Sequence, residues 1–275
     1  MTGAVEPRRR PRFRLEPYVE FARTAMAREA TYRFDVFTTI GSFVVRVYLL
    51  RMVWTALYAH NAAPHELSRR AIITYSAVAL LMGIVMDIDQ TRALKDKLHD
   101  GSIATDFLKP IIVPFYFFAD GTGEVLFHAV LLIPATLIAL LIFHIIVPGP
   151  GVLAAFALSF LLGYLVGFFL NFILNCSAFW TLEISAVQLI VTWLTDLFGG
   201  ELIPLILFPA FLQNFIYALP FAAMFSTPLL IYVGVIPPSR YFEVMGLQLV
   251  WIVGLAIVST LMWRAGSRRI VVQGG

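Results

Sequence analysis

Apolar residues come in long runs along this chain, near 37–59, 71–89, 122–146, 152–177, 184–199 and 243–263. A helix that pairs its own backbone groups needs a run of about 20 apolar residues to cross a bilayer, because unpaired backbone groups in hydrocarbon cost several kcal/mol. The pattern predicts an all-α polytopic membrane protein with about six transmembrane helices. Two stretches depart from it. "DKLHDGSIATDFLKPIIVP", residues 96–114, sets charges, a glycine and two prolines between oily segments. "ELIPLILFPAFLQNFIYALPFAAMFSTPLLIYVGVIPPSR" is apolar enough for lipid but carries Pro204, Pro209, Pro220 and Pro228, which disfavour one straight helix. Residues 201–235 therefore read as a re-entrant helical hairpin that enters the outer half of the membrane and returns before the last span. The competing reading is a seventh complete span followed by a loop.

Upstream of the runs, residues 1–35 are basic and lack an apolar core followed by a small-residue cleavage site, so they are expected to stay on the protein. Tyr18, Phe21, Ala25 and Met26 recur at helical spacing opposite Arg23 and Glu29, the pattern of an interfacial helix lying on the membrane surface. The expected organisation is a basic tail with this helix (1–35), one transmembrane domain (36–265) and a short C-terminal tail (266–275).

Composition agrees: 60% of side chains are apolar, 13% are charged and the mean hydropathy is +0.84, whereas a soluble domain carries about a quarter charged residues. Lysine and arginine set orientation when they lie close to the spans. Arg8, Arg9, Arg10, Arg12 and Arg14 precede the first run, Arg92, Lys95, Lys97 and Lys109 follow the second, and Arg264, Arg268 and Arg269 follow the last. With six spans all three clusters fall on one side, opposite Arg69, Arg70 and Arg240. Both termini and the 96–114 stretch are thus expected to be cytoplasmic.

Chemistry-bearing residues are sparse. A single cysteine, Cys176, excludes an intrachain disulfide, and the five histidines lack metal-ligand spacing, so no metal site is expected. Ionisable groups at membrane depth are costly and usually face a bundle interior or a water-filled cavity. Arg46 and Arg51, near the middle of the first run, either line a path for an anionic head group, or pair with Asp87, Glu183 or Asp196, or snorkel. Asn171 and Asn175, four residues apart, are interhelical glue or ligands. With Trp180 and Asp196 these residues form the candidate translocation path. Asp120 and Glu124 read as caps of the third span. The 96–114 stretch is either a solvated loop whose lysines fix topology or a site that a soluble partner grips, with Leu94, Leu98 and Phe107 as apolar knobs.

The chain resembles the membrane-spanning permease subunits of type-2 ABC exporters, the bacterial ABC-2 family transporter proteins. The resemblance lies in the order of "LRMVWTALY", "GSIATDFLKPI", "SAFWTLE", the proline-broken stretch after "GGELIPL", "LQLVWIVGLAI" and the terminal "RRIVVQGG". It implies a multi-pass protein of the bacterial cytoplasmic membrane with no catalytic residues. The implied partners are an ABC ATPase subunit pair, a second copy or related permease, and membrane lipid, with no nucleic acid. ATP and Mg belong to the partner, since no G-x-x-x-x-G-K-S/T phosphate loop occurs here. It further implies that a coupling elbow at about 91–112 meets the ATPase, with Arg92, Lys95, Asp96, Lys97, Leu98, His99, Asp100, Gly101, Asp106 and Phe107 as its residues. Relatives often carry a basic residue beside that glycine, where this chain has His99 and Asp100.

Two other classes compete. An intramembrane aspartyl protease would use Asp87 with Asp196, but Gly199 and Gly200 follow Asp196 where a G-x-G-D signature needs glycines before it. A secondary transporter would show matching broken helices in both halves, and the first half has no proline cluster like that after residue 200.

Overall fold

A computed structural model describes residues 15–30, 33–60, 67–86, 89, 91–181 and 183–273. Asp87, His65, Arg8, Arg9, Arg10, Arg12 and Arg14 lie outside the described residues. Within them the chain is helical, with no strand. The helices are α1 (Glu16–Glu29), α2 (Arg33–Ala59), α3 (Arg69–Met86), α4 (Arg92–His99), α5 (Ile103–Asp106), α6 (Val113–Leu141), α7 (Pro150–Cys176), α8 (Ser185–Phe198), α9 (Ala210–Tyr217), α10 (Pro220–Met224), α11 (Ser226–Tyr232) and α12 (Tyr241–Gln273). Among the described residues, five stretches are long and apolar enough to cross a membrane: Phe37–Ala59, Arg69–Met86, Val113–Leu141, Pro150–Phe179 and Pro238–Arg269.

α3 is the hub. It is 72% buried over its most apolar window, against 17% for α2 and α12, so the outer helices turn most of their apolar surface away from the protein. That outer surface suits lipid, which is as apolar a solvent as leucine. Around α3 the core gathers Phe43 and Val47 of α2, Ala135 and Ala139 of α6, Val166 of α7, Phe225 just before α11 and Leu229 within it.

The third span starts earlier than the apolar run suggested, at Val113. Pro114 stands in the first turn, where its missing N–H costs nothing, and Phe115–Phe118 continue the helix. Asp120 and Glu124 consequently sit in the second and third turns and cap nothing; both bind Arg28 of α1, Asp120 at 3.3 Å. Their charge docks the amphipathic helix onto α6. The fit is close there, because Gly123 faces the backbone of Ala22 with no room for a side chain.

α8 has only 14 residues, which at about 1.5 Å per residue falls short of a bilayer's roughly 30 Å core. Beyond it the prolines divide the chain as their chemistry requires. Pro204 and Pro209 precede a 3₁₀ turn and α9, and Pro220 opens α10. Gly200 turns the chain at φ +84°, and its carbonyl accepts from the Tyr75 hydroxyl at 2.8 Å. Ile206 and Leu207 pack near Trp54 and Ile72, whereas the α10 end reaches the middle of α7. A Cβ on Gly163 would stand 2.6 Å from the Met224 carbonyl oxygen, so glycine is what permits this approach. α11 then leads to Tyr232, whose hydroxyl donates to Ile146 O at 3.0 Å. The break between α10 and α11 is sealed by Gln248 of α12, fully buried, which donates to Ala223 O (2.8 Å) and Ser159 O (3.0 Å) and accepts from the Ser159 hydroxyl. Broken backbone inside a bundle is tolerated where protein groups re-satisfy it.

Candidate functional site: a polar cavity above a braced elbow

α2, α3, α7 and α8 enclose a half-open cavity of about 870 Å³, and Glu201, Leu202 and Met224 complete its wall. Leu49, Leu50, Leu80, Leu170, Leu174 and Val191 make it oily; Arg46, Asn171, Thr192, Thr195 and Asp196 make it locally polar. Arg92, Lys95 and Asp96 of the elbow line the same space together with Asp89 and Gln188. Of the path candidates, the cavity therefore brings together Arg46, Asn171 and Asp196, and it leaves out the other three. Arg51 points elsewhere and donates to Ile142 O at 3.4 Å. Trp180 lies against Arg269, whose guanidinium stands 5.5 Å from its ring. Asn175 is fully buried and donates to Asp89 Oδ1 (2.9 Å) and Thr91 Oγ1 (2.7 Å).

This makes Asp89 a junction that composition gave little reason to pick. Its carboxylate also accepts from Gln188 Nε2 at 3.2 Å and from Thr91, so it joins the start of the elbow to the end of α7 and the start of α8. Burial pushes the Asp89 carboxyl above its usual value, and the bonds from Thr91 and Asn175 only partly oppose this. Gln188, Thr192, Thr195 and Asp196 stand at i, i+4, i+7 and i+8 of α8. That polar stripe at helical spacing was visible in the sequence and marks the face α8 turns to the cavity.

The elbow is braced on several sides. α4 is strongly amphipathic: Leu94 is fully buried, Leu98 half-buried, and Arg92, Asp96 and His99 exposed. Phe107 stacks on Trp263 of α12, ring centroids 5.8 Å apart, within an aromatic cluster of Phe117, Phe172 and Phe179. The three apolar knobs thus fasten the elbow to the bundle, because an amphipathic helix gains most by burying its apolar stripe there. Leu108, Arg92, Asp96, His99, Asp100 and Gly101 are exposed. Lys95 reaches across to α8, donating to Gln188 (2.9 Å) and Ser185 (3.2 Å).

Inside the elbow, buried Asp106 holds Lys97 and Lys109, each at 2.6 Å. Burial alone would raise the Asp106 carboxyl, but the two lysines outweigh it and hold it below the usual carboxylate range. Burial likewise works against the Lys97 ammonium, and its bonds to Asp106 and Tyr116 more than compensate, so its pKa lies above the ordinary value. The exposed Asp100 carboxyl is lowered by hydrogen bonds from Ser102, closing the turn that Gly101 makes at φ +78°.

Among the described residues, five long apolar helices, a sixth shorter one and a polar compartment resting on a braced helical elbow define a polytopic integral membrane protein. The family model described as "ABC-2 family transporter protein" matches residues 43–274, and the chain belongs to that family. It is accordingly a membrane permease component of an ABC transporter, and such permeases generally pair with an ATPase subunit. No curated protein matches the chain.

Proposed function

We propose that this chain is one half of the membrane unit of an ATP-driven exporter, paired with a second copy or a related permease, and that α4 and α5 receive the movement of a separate ATPase pair. The observation that carries this reading is the bracing of the elbow. Its links to α8 through Lys95, to α12 through Phe107 and to the cavity floor through Asp89 let a push on its exposed rim reach the cavity walls as one body. ATP and Mg act in the partner chain, and closure of that chain shifts the permease between conformations only by as much as it binds them differently. Reconstituted alone, the chain should insert but move nothing. With the ATPase and any second permease it should transport in an ATP-dependent manner, and transport by the lone chain would sink the exporter reading.

The six-span topology with both ends in the cytoplasm belongs to the same proposal. α8 starts beside the elbow, and residues 201–235 run from the Trp54 end of the bundle to the middle of α7 and back to Ile146, which supports a segment that enters and leaves from the outer face. After buried Cys176 is replaced by serine, a cysteine at exposed Ser239 should label from outside intact cells. Cysteines at Asp100 and Arg268 should label only after permeabilisation. Labelling of Ser239 from the cytoplasm alone would mean that 201–235 crosses completely.

A further inference from the structure

We infer that the cavity selects a zwitterionic amphiphile, a molecule with a cationic and an anionic group on one head and an apolar tail; this rests on the cavity's being the path. Arg46 of α2 and Asp196 of α8 line the same compartment from different walls. No ion pair joins them, and neither makes a hydrogen bond or ion pair with any described residue. Two unpaired opposite charges in an oily compartment are expensive unless something polar joins them. Water hydrates each of them where the cavity is open, Arg46 being exposed and Asp196 half-buried, but it does not join them. A head group carrying both signs does so with two charge-assisted contacts, its anionic end on the Arg46 guanidinium and its cationic end on the Asp196 carboxylate.

The surroundings decide between this and a ligand of one sign. At the elbow end the charges are already committed: Arg92 pairs with Asp96 at 3.8 Å, Lys95 bonds to Gln188 and Ser185, and Asp89 accepts from Asn175, Thr91 and Gln188. Glu201, in the opposite wall, is buried and has a partner of its own. A purely anionic head group would find Arg46 but meet Asp196 as a repulsive neighbour, and a purely cationic one the reverse. Thr192 and Thr195, on the Asp196 face, donate their hydroxyls to Gln188 O and Val191 O and keep oxygen lone pairs that can accept from the cationic end of a ligand. Leu49, Leu50, Leu170 and Leu174 offer the tail an apolar wall.

The test uses the full-length chain in nanodiscs and three short-chain lipids labelled on the acyl chain, with phosphocholine, phosphoglycerol and trimethylammonium head groups. Binding is read by fluorescence anisotropy as ratios among the probes, so a variant that folds poorly lowers all three alike. The zwitterionic probe should bind about tenfold more tightly than either other, the effect of one charge-assisted hydrogen bond. Arg46→Gln should shift the preference toward the cationic probe and Asp196→Asn toward the anionic one. The exchange Arg46→Asp with Asp196→Arg should restore the zwitterion's lead. Equal binding of the three probes, or ratios unmoved by either single change, overturns the inference. Because no ATPase is present, that outcome leaves the exporter reading to be judged by ATP-dependent transport.

Discussion

Replacing Asp106 with alanine is expected to uncouple ATP hydrolysis from transport while leaving the protein inserted. Asp106 is the one carboxylate between Lys97 and Lys109, at 2.6 Å from each, and its side chain is 1% exposed. Without it the two ammonium groups face each other, and Lys97, only 23% exposed, keeps just the Tyr116 hydroxyl and ring. Removing one partner of a buried pair costs about 3 kcal/mol. The triad is the charged tie between α4 and α5 inside the elbow, so its loss falls on local opening there before it falls on the bundle. Trypsin added to inside-out vesicles should cut after Lys95 and Lys97 at least tenfold faster than in the unaltered protein, whereas the Lys109–Pro110 bond resists it in both. The swap Lys97→Asp with Asp106→Lys should recover part of the protection, read at Arg92 and Lys95 because the swap itself removes the site at residue 97. Unchanged cleavage together with full coupling would show that the elbow's rigidity is not what transmits the motion.

The same triad sets a pH window. Asp106 has a lowered folded pKa, so its contribution is complete above the ordinary carboxylate value and is lost as pH falls through the lowered one, below about pH 4. Lys97 has a raised folded pKa, so its share is complete below about pH 10 and is lost as pH rises through the folded value. Protection of the elbow against a pH-tolerant protease should stay flat between those limits. Asp89 runs the other way. Its carboxyl is raised by burial, so ionisation costs stability above the ordinary carboxylate value and protonation relieves the cost as pH falls.

Gln248→Leu should lower the melting temperature in detergent by roughly 5 °C, corresponding to about 2 kcal/mol. Interhelical hydrogen bonds in membranes average only about 0.6 kcal/mol, because the unfolded helices also find partners. Gln248 exceeds that average because it serves a helix break: the Ala223 carbonyl beside the α10–α11 joint has its side-chain donor here, fully buried. Leucine fills the space but leaves that carbonyl and Ser159 unserved. Ser159→Ala deletes a single bond, the hydroxyl to Gln248 Oε1, and should cost less than half as much. Equal melting of Gln248→Leu and the unaltered protein would mean that packing of Met224 against Gly163 alone holds the break.

The sequence by itself determined the solvent, the class and the breaks. Apolar runs of spanning length leave only helices in a bilayer, and prolines without an N–H dictated where the stretch after residue 200 would fracture. The elbow was legible too, since the alternation of charge and leucine in α4 is an amphipathic helix and cannot be anything spanning. The polar stripe of α8 was equally readable at its i, i+4, i+7 spacing. What the sequence could not say is which apolar face of each span is inside. In water a buried face differs from an exposed one in polarity, but lipid is as apolar as a protein core, so the signal that sorts faces vanishes. Only the tertiary structure therefore decided that α3 is the hub, that Arg46 faces the cavity while Arg51 does not, and that Leu94, Leu98 and Phe107 turn inward. It alone joined Arg28 to Asp120 and Asp89 to Asn175, pairs 92 and 86 residues apart that meet because the helices between them fold back.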